Sequence, residues 1–250
     1  MADPMTDTAT DTPLRIVSLL PSATEIVFAL GLGDQLHGRS FECDSPVDAA
    51  RVPIVSGTAL TTTSDSTPAE IDAQVSSMVA DGASIYTLDD NAIRSINPDL
   101  ILAQDLCSVC AVPSGHVNEA LDVIGCTATV VSLDPFRLDD VIACIGTVGH
   151  AAGVGERADA LMAALRARID AVQTSIAGRP RPKVLLLEWG DPPFNGGHWM
   201  PDMVEAAGGE SVLGSGGDRS VRLEWDTIAA TEIDVVVYVP CGFGLAGAID

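Results

Sequence analysis

Lysine is almost absent from this chain. Lys183 is the sole example in 250 residues, and arginine brings the cations only to 13 against 35 acidic side chains. The resulting formal charge of −22 repels phosphate backbones and anionic lipid, which argues against nucleic-acid and membrane-surface partners. Two origins of the acidity stay open, a generally acidic solvated surface and a partner that seeks carboxylates. Aromatic residues are also scarce, at 4% with three Trp, so the places where rings do occur carry information. No apolar run is long enough to span a bilayer, and residues 1–12 lack the basic and apolar regions of a secretory signal. The sequence as written is therefore expected to stay in the cytoplasm, with its six cysteines mostly reduced. Catalytic signatures are missing as well: there is no G-x-S-x-G elbow, H-E-x-x-H, Walker loop or strand-linked G-x-G-x-x-G.

What is present is alternation. Residues 16–20 form a short apolar run that reads as a buried strand. Pro21 stops it, and Ser22 with Glu25 fits an S-x-x-E capping box opening a helix that ends at Gly31. Further strands are expected at 35–40, 53–55, 85–88, 100–103 and 129–133, with helices at 68–81, 89–96 and 114–124. This order predicts a parallel, doubly wound α/β lobe over residues 14–136, preceded by a disordered tail at 1–13. A helical region follows at 137–181, with a long helix at 156–177. About 22 residues at 1.5 Å each make a rod of roughly 33 Å. A second α/β lobe is expected over 182–250, with a strand at 184–187, helices at 201–207 and 225–230, and a last strand at 235–239. The predicted class is α/β, two Rossmann-like lobes joined by one long helix, with a ligand cleft between them.

From Arg15 to Phe243 the chain resembles the substrate-binding proteins of cobalamin and ferric-siderophore ABC importers, whose two lobes are bridged by a single helix. The resemblance rests on Leu20-Pro-Ser-Ala-Thr-Glu25, Cys43-Asp-Ser-Pro46, Asn97-Pro-Asp-Leu-Ile101, and Trp189-Gly-Asp-Pro-Pro-Phe194 followed by Gly208-Gly209. It implies a non-catalytic protein that holds a corrinoid such as cobalamin in the cleft. Ser22, Phe41, Glu42, Asp44 and Tyr86 would contact it from the first lobe, and Trp189, Phe194, His198 and Trp199 from the second. Aromatic rings suit a flat macrocycle because it offers broad apolar faces. A ferric siderophore or haem on the same scaffold is the alternative ligand. The resemblance further implies an ABC permease and ATPase as partners, docked through one acidic residue per lobe, Asp90 and Glu224. The chain departs from the pattern in three ways: it shows no export signal, it ends early in the second lobe, and Ser45 stands where many relatives carry a ring.

The cysteines allow another function. Cys107 and Cys110 form a C-x-x-C in the loop after strand 100–103, and Cys43 lies in the loop after the second strand. With His198 they would suit a soft site for zinc or iron, or one thiolate would cap cobalt, making the chain a cytoplasmic metal-binding or redox protein. Buried small hydrophobes or a redox-labile pair is the competing reading of the same thiols. Cys126 and Cys144 fall on apolar stretches and read as core.

Overall fold

The computed structural model describes residues 13–63, 66–106 and 112–249; the tail at 1–12 and the Cys107–Cys110 motif lie outside the described residues. The first lobe is built on β1 (Ile16–Ser18), α1 (Pro21–Ala29), β2 (Leu36–Arg39), β3 (Ser56–Thr58), α2 (Pro68–Ala80), β4 (Tyr86–Leu88), α3 (Asp90–Ile96), β5 (Leu100–Ala103), α4 (Ser114–Ile124) and β6 (Thr129–Ser132). Two helices follow, α5 (Leu138–Ala151) and α6 (Gly155–Ile176). The second lobe comprises β7 (Lys183–Gly190), β8 (Pro193–Asn195), α7 (Met200–Ala206), β9 (Glu210–Ser211), α8 (Trp225–Ala230), β10 (Val235–Tyr238) and α9 (Leu245–Ile249). Among the described residues no helix is long and apolar enough to cross a membrane.

The first sheet runs β2-β1-β5-β6, all parallel. Side chains alternate between its faces, so Ile16, Leu100 and Leu102 join one core while Val17, Ile101 and Ala103 join the other. Both faces are covered, which is why β5 is a continuous apolar run and every residue of β1 is buried. The first core takes Ala23 and Val27 from α1, Ile145 and Val148 from α5 and Ala158 from α6. The second takes Ile93 from α3, Val117 and Leu121 from α4, and Ile85 and Tyr86 around the antiparallel β3–β4 pair. Chain order reverses between β1 and β5, so the crevice outside their carboxyl ends is the place where open α/β sheets take ligands.

The Asn97-Pro-Asp99 motif is structural. Asn97 adopts φ 47° and ends α3 in the left-handed region, and Pro98 is buried. The Asp99 carboxylate accepts from the Arg15 backbone N–H at 2.8 Å and pairs with its guanidinium at 2.9 Å, tying β1 to β5. Those hydrogen bonds hold the Asp99 carboxyl below the usual aspartate value.

The expected capping box at Ser22 and Glu25 is not formed. Pro21 occupies the first turn of α1 with Leu20 as N-cap and no side-chain cap. Both Ser22 and Glu25 are exposed. The hydroxyl turned inward is that of Thr24, fully buried beside Ser18 and Cys43.

α6 spans 22 residues, starting one position before the expected 156–177. Its first half packs on α5, where Gly149 faces Ala158 so closely that a Cβ on the glycine would lie 2.3 Å from the Ala158 Cβ. At its far end Ile176 presses on Gly208, whose φ is +89°. The rod thus rests on the first lobe at one end and on the second at the other. The second sheet is ordered β10-β7-β8, with β9 also paired to β7. β10 and β9 are parallel to β7 whereas β8 returns antiparallel, so this sheet is mixed. Val184 and Leu186 of β7 pack on Val204 of α7 as a small separate core. β10 is an edge strand with Val235, Val236 and Tyr238 exposed.

Candidate crevice between the lobes

Four loops of the first lobe begin at the carboxyl ends of its parallel strands. After β1, Ser18 donates to the Leu20 carbonyl at 3.0 Å, and Thr24 Oγ1 lies 2.9 Å from Ser18 Oγ and 3.1 Å from Cys43 Sγ. This buried polar chain joins β1, α1 and the loop that follows β2. Arg39 braces the same loop from below, donating to the carbonyls of Val52 and Ser40, both at 3.1 Å. The loop then presents Phe41, which is 37% exposed, half-buried Glu42 and exposed Asp44.

Cys43 departs from expectation. It is completely buried, and burial pushes its thiol pKa up, so it behaves as a small core residue. The strand end set Cys43 near the rim, but the turn Ser40–Cys43 directs it inward toward Thr24. Among the described residues no group of three or more His, Cys, Asp or Glu side chains is arranged to hold a metal ion.

Tyr86 likewise departs from the expected open position. At 4% exposed it belongs to the second core, and its hydroxyl reaches the Glu42 carboxylate oxygens at 3.3 and 3.4 Å. Its ring lies 6.3 Å from that of Phe41. Tyr86 therefore supports the Phe41–Glu42 turn from behind.

Burial raises the Glu42 pKa, with the Tyr86 hydrogen bond opposing it. A carboxyl whose folded pKa lies above its unfolded value contributes stability below the unfolded pKa and loses it as pH rises through the folded one. Glu42→Gln should accordingly melt at a higher temperature than the parent at pH 7 and at the same temperature near pH 4. Thermal scans at both values check this, and an equal change at both would contradict it.

In the second lobe, a bulge between Leu187 and Trp189 brings Trp189 opposite Phe194 across β7 and β8. The Trp189 indole donates to the Asp191 carbonyl at 3.1 Å, and its ring meets Phe243 edge-on at 5.7 Å. Trp189, Phe194, His198 and Trp199 are all partly exposed. His198 adopts φ 53° and its ring lies 6.0 Å from Trp199. Its Nε2 is buried with no hydrogen-bond partner among the described residues. Burial lowers the His198 pKa, the positive charge of Arg219 acts in the same direction, and Glu188 opposes them.

The lobes meet through residues the sequence reading missed. Phe136, placed after β6, lies 5.6 Å from the His198 ring. Arg137 pairs with Asp202 at 3.0 Å and donates to the Gly216 carbonyl. Asp202 also accepts from the Leu138 N–H at 3.0 Å, so a carboxylate of α7 caps the start of α5 across the junction. The signal for Phe136 was its position just past the carboxyl end of the parallel strand β6. Asp90 and Glu224 are exposed at the starts of α3 and α8, one on each lobe.

Two depressions lie away from these rims. One of about 320 Å³ is lined by Ile176, Arg179, Arg181 and Glu205 at the far end of α6. One of about 540 Å³ is lined by Ser56, Thr87, Asp89 and Asp90 beside β3 and β4. Neither touches Trp189, Phe194 or His198.

Comparison with known proteins accords with this geometry. The family model described as "Periplasmic binding protein" matches residues 16–247. The vitamin B12-binding protein of Yersinia pestis (strain Pestoides F) is 23% identical over 223 residues, covering 88% of this chain and 65% of that relative's length. An uncharacterized ABC transporter substrate-binding lipoprotein of Bacillus subtilis, YvrC, is 28% identical over 161 residues, 64% of this chain and 41% of its own. Among solved structures, the periplasmic vitamin B12 binding protein BtuF of Vibrio cholerae superposes with a TM-score of 0.65 at 20% identity, covering 90% of this chain and 76% of that one. The periplasmic heme-binding protein RhuT of Roseiflexus sp. RS-1 does so with a TM-score of 0.65 at 22% identity, covering 91% and 76%. With its long bridging helix, its two strand-end rims and a family match over nearly its whole length, the chain belongs to the periplasmic binding protein family.

Proposed function

We propose that this protein binds a corrinoid, cobalamin or a close relative, between its lobes and carries out no catalysis. One observation carries the reading. In a chain with 4% aromatic residues, Phe41 on one lobe and Trp189, Phe194 and Trp199 on the other sit partly exposed on strand-end segments. Rings so placed give apolar faces for a flat macrocycle, and Ser22, Glu42, Asp44 and His198 give polar contacts around it. The name of the Yersinia relative, a vitamin B12-binding protein, favours a corrinoid within this ligand class. Haem is the competing ligand, favoured by the unpartnered Nε2 of His198 and by the RhuT likeness. In an ABC uptake system the exposed carboxylates of Asp90 and Glu224 would meet the permease, one from each lobe.

Titration with hydroxocobalamin, followed by its visible spectrum and by calorimetry, tests the proposal. The expected result is a shifted spectrum, one-to-one binding and a raised melting temperature. Trp189→Ala should weaken binding about tenfold or more while melting near the parent temperature, since loss of one stacked ring removes on the order of 1–2 kcal/mol. No response to any corrinoid, with a clear response to haem, would replace the ligand; no response to either would reject the reading.

A further inference from the structure

The segment 214–223 carries two arginines that the reading above leaves unused. Its backbone is clamped along β8: Asn195 N–H donates to the Val221 carbonyl at 3.2 Å and Leu223 N–H to that of Pro193 at 2.8 Å. Val221 N–H in turn donates to the Asn195 side-chain oxygen at 2.6 Å. Gly197 is pressed so close that a Cβ there would lie 2.2 Å from Ser220 N. At one end, Gly216 and Gly217 lie against Arg137 of the first lobe. At the other, Arg222 bridges to Phe194, which is itself opposite Trp189. The segment therefore runs from the junction of the lobes to the aromatic rim.

Arg219 and Arg222 are both exposed. Neither forms an ion pair among the described residues, a condition they share with Arg166 and Arg168, but Arg222 stands directly opposite Phe194 and so shares a face with that ring. The His198 N–H donates to the Asp218 carbonyl at 2.6 Å, which sets Arg219 next to the residue that holds His198. Guanidinium forks on a rigid rail are suited to an oxyanion, which they grip through paired N–H groups.

We propose that Arg219 and Arg222 form an oxyanion subsite on the second-lobe wall, taking a phosphate or carboxylate at the edge of the bound macrocycle. The proposal rests on the reading that a macrocycle lies between the lobes. It deepens that reading by naming the ligand class as one with an anionic periphery. The phosphodiester of a complete corrinoid and the carboxylates of a porphyrin share this chemistry, and matched probes separate them. Cyanocobalamin is compared with dicyanocobinamide, which lacks the phosphodiester, and haem with its dimethyl ester, which lacks free carboxylates.

Calorimetry on the parent, on the R219Q/R222Q variant and on R166Q/R168Q supplies the test. The last removes the same charge from exposed positions on α6. For at least one pair, the parent should bind the anionic probe about tenfold or more tighter than its neutral partner. R219Q/R222Q should lose that preference yet bind the neutral probe within twofold of the parent, and R166Q/R168Q should keep it. A preference for cyanocobalamin assigns the subsite to phosphate, and a preference for haem assigns it to carboxylate. Equal affinity of both members of each pair for the parent, or an unchanged preference in R219Q/R222Q, overturns the arginine subsite alone. Failure of the parent to bind any of the four probes overturns the macrocycle reading and the subsite with it.

Discussion

Gly149→Leu should lower the melting temperature by roughly 6–12 °C, corresponding to about 3 kcal/mol. Gly149 and Ala158 stand where α5 crosses α6, and Ala158 is fully buried. Apolar carbons prefer a separation of about 3.5–4 Å, against the 2.3 Å that a Cβ at residue 149 would find. Replacing a helical glycine gains about 1 kcal/mol in propensity. A leucine at this crossing adds four carbons where one already fails to fit, and overpacking of that size outweighs the gain. Gly153→Ala is the contrasting change. Its φ of +72° makes alanine strained by about 1–2 kcal/mol, but no atom lies within 4 Å of the added carbon. Melting scans of both variants check the ranking, and a Gly149→Leu protein as stable as Gly153→Ala would mean that α5 and α6 are not packed as described. Because α6 bridges the lobes, Gly149→Leu should also tilt the rod and weaken the corrinoid binding proposed above.

The second large effect concerns the junction itself. Asp202→Ala should cost about 2–3 kcal/mol, because it strips the Leu138 N–H and the Arg137 guanidinium of one shared acceptor. The Asp202 side chain is only 17% exposed, so water replaces it poorly. Asp202→Asn keeps an acceptor for Leu138 but loses the charge, and should cost less than Asp202→Ala. Arg137→Ala, with Arg137 55% exposed, should cost least alone. In the double variant the two losses should fall short of additivity by about 1 kcal/mol. Beyond stability, Asp202→Ala frees the lobes to spread, visible as a larger radius of gyration in small-angle scattering. An Asp202→Ala protein with the parent's stability and scattering profile would show that this ion pair does not fix the angle between the lobes.

The frame of the molecule was legible because parallel strands buried on both faces need continuous apolar runs. Residues 100–103 announce themselves in that way, and the helix expected at 68–81 forms as α2, with Thr67 and Glu70 making its capping box. β8 and β9 were not, since three residues opening on Pro193 and two beside a Gly-Gly pair look like loop until β7 supplies their hydrogen bonds. The start of α1 was misread because Pro21 suits a first turn without help from Ser22, while Thr24 is drawn inward by Ser18.

For the crevice, chain position indicated which loops lie at the strand ends but not which way their side chains turn. Phe41 and Cys43 are two residues apart on one loop, and one ring is exposed while the neighbouring thiol is buried. Tyr86, which the family resemblance placed on the ligand surface, is buried instead. Its burial depends on β3 and Glu42, both distant in sequence. Phe136, Arg137 and Asp202 form a contact that exists only once two separate sheets are placed together, and no local pattern encodes it.

Amide hydrogen exchange with and without saturating hydroxocobalamin tests the central claim most directly. Ligand held between the lobes should slow exchange together in residues 40–46 of the first lobe and in residues 189–199 of the second. Protection confined to one lobe, or none in either segment, would contradict it.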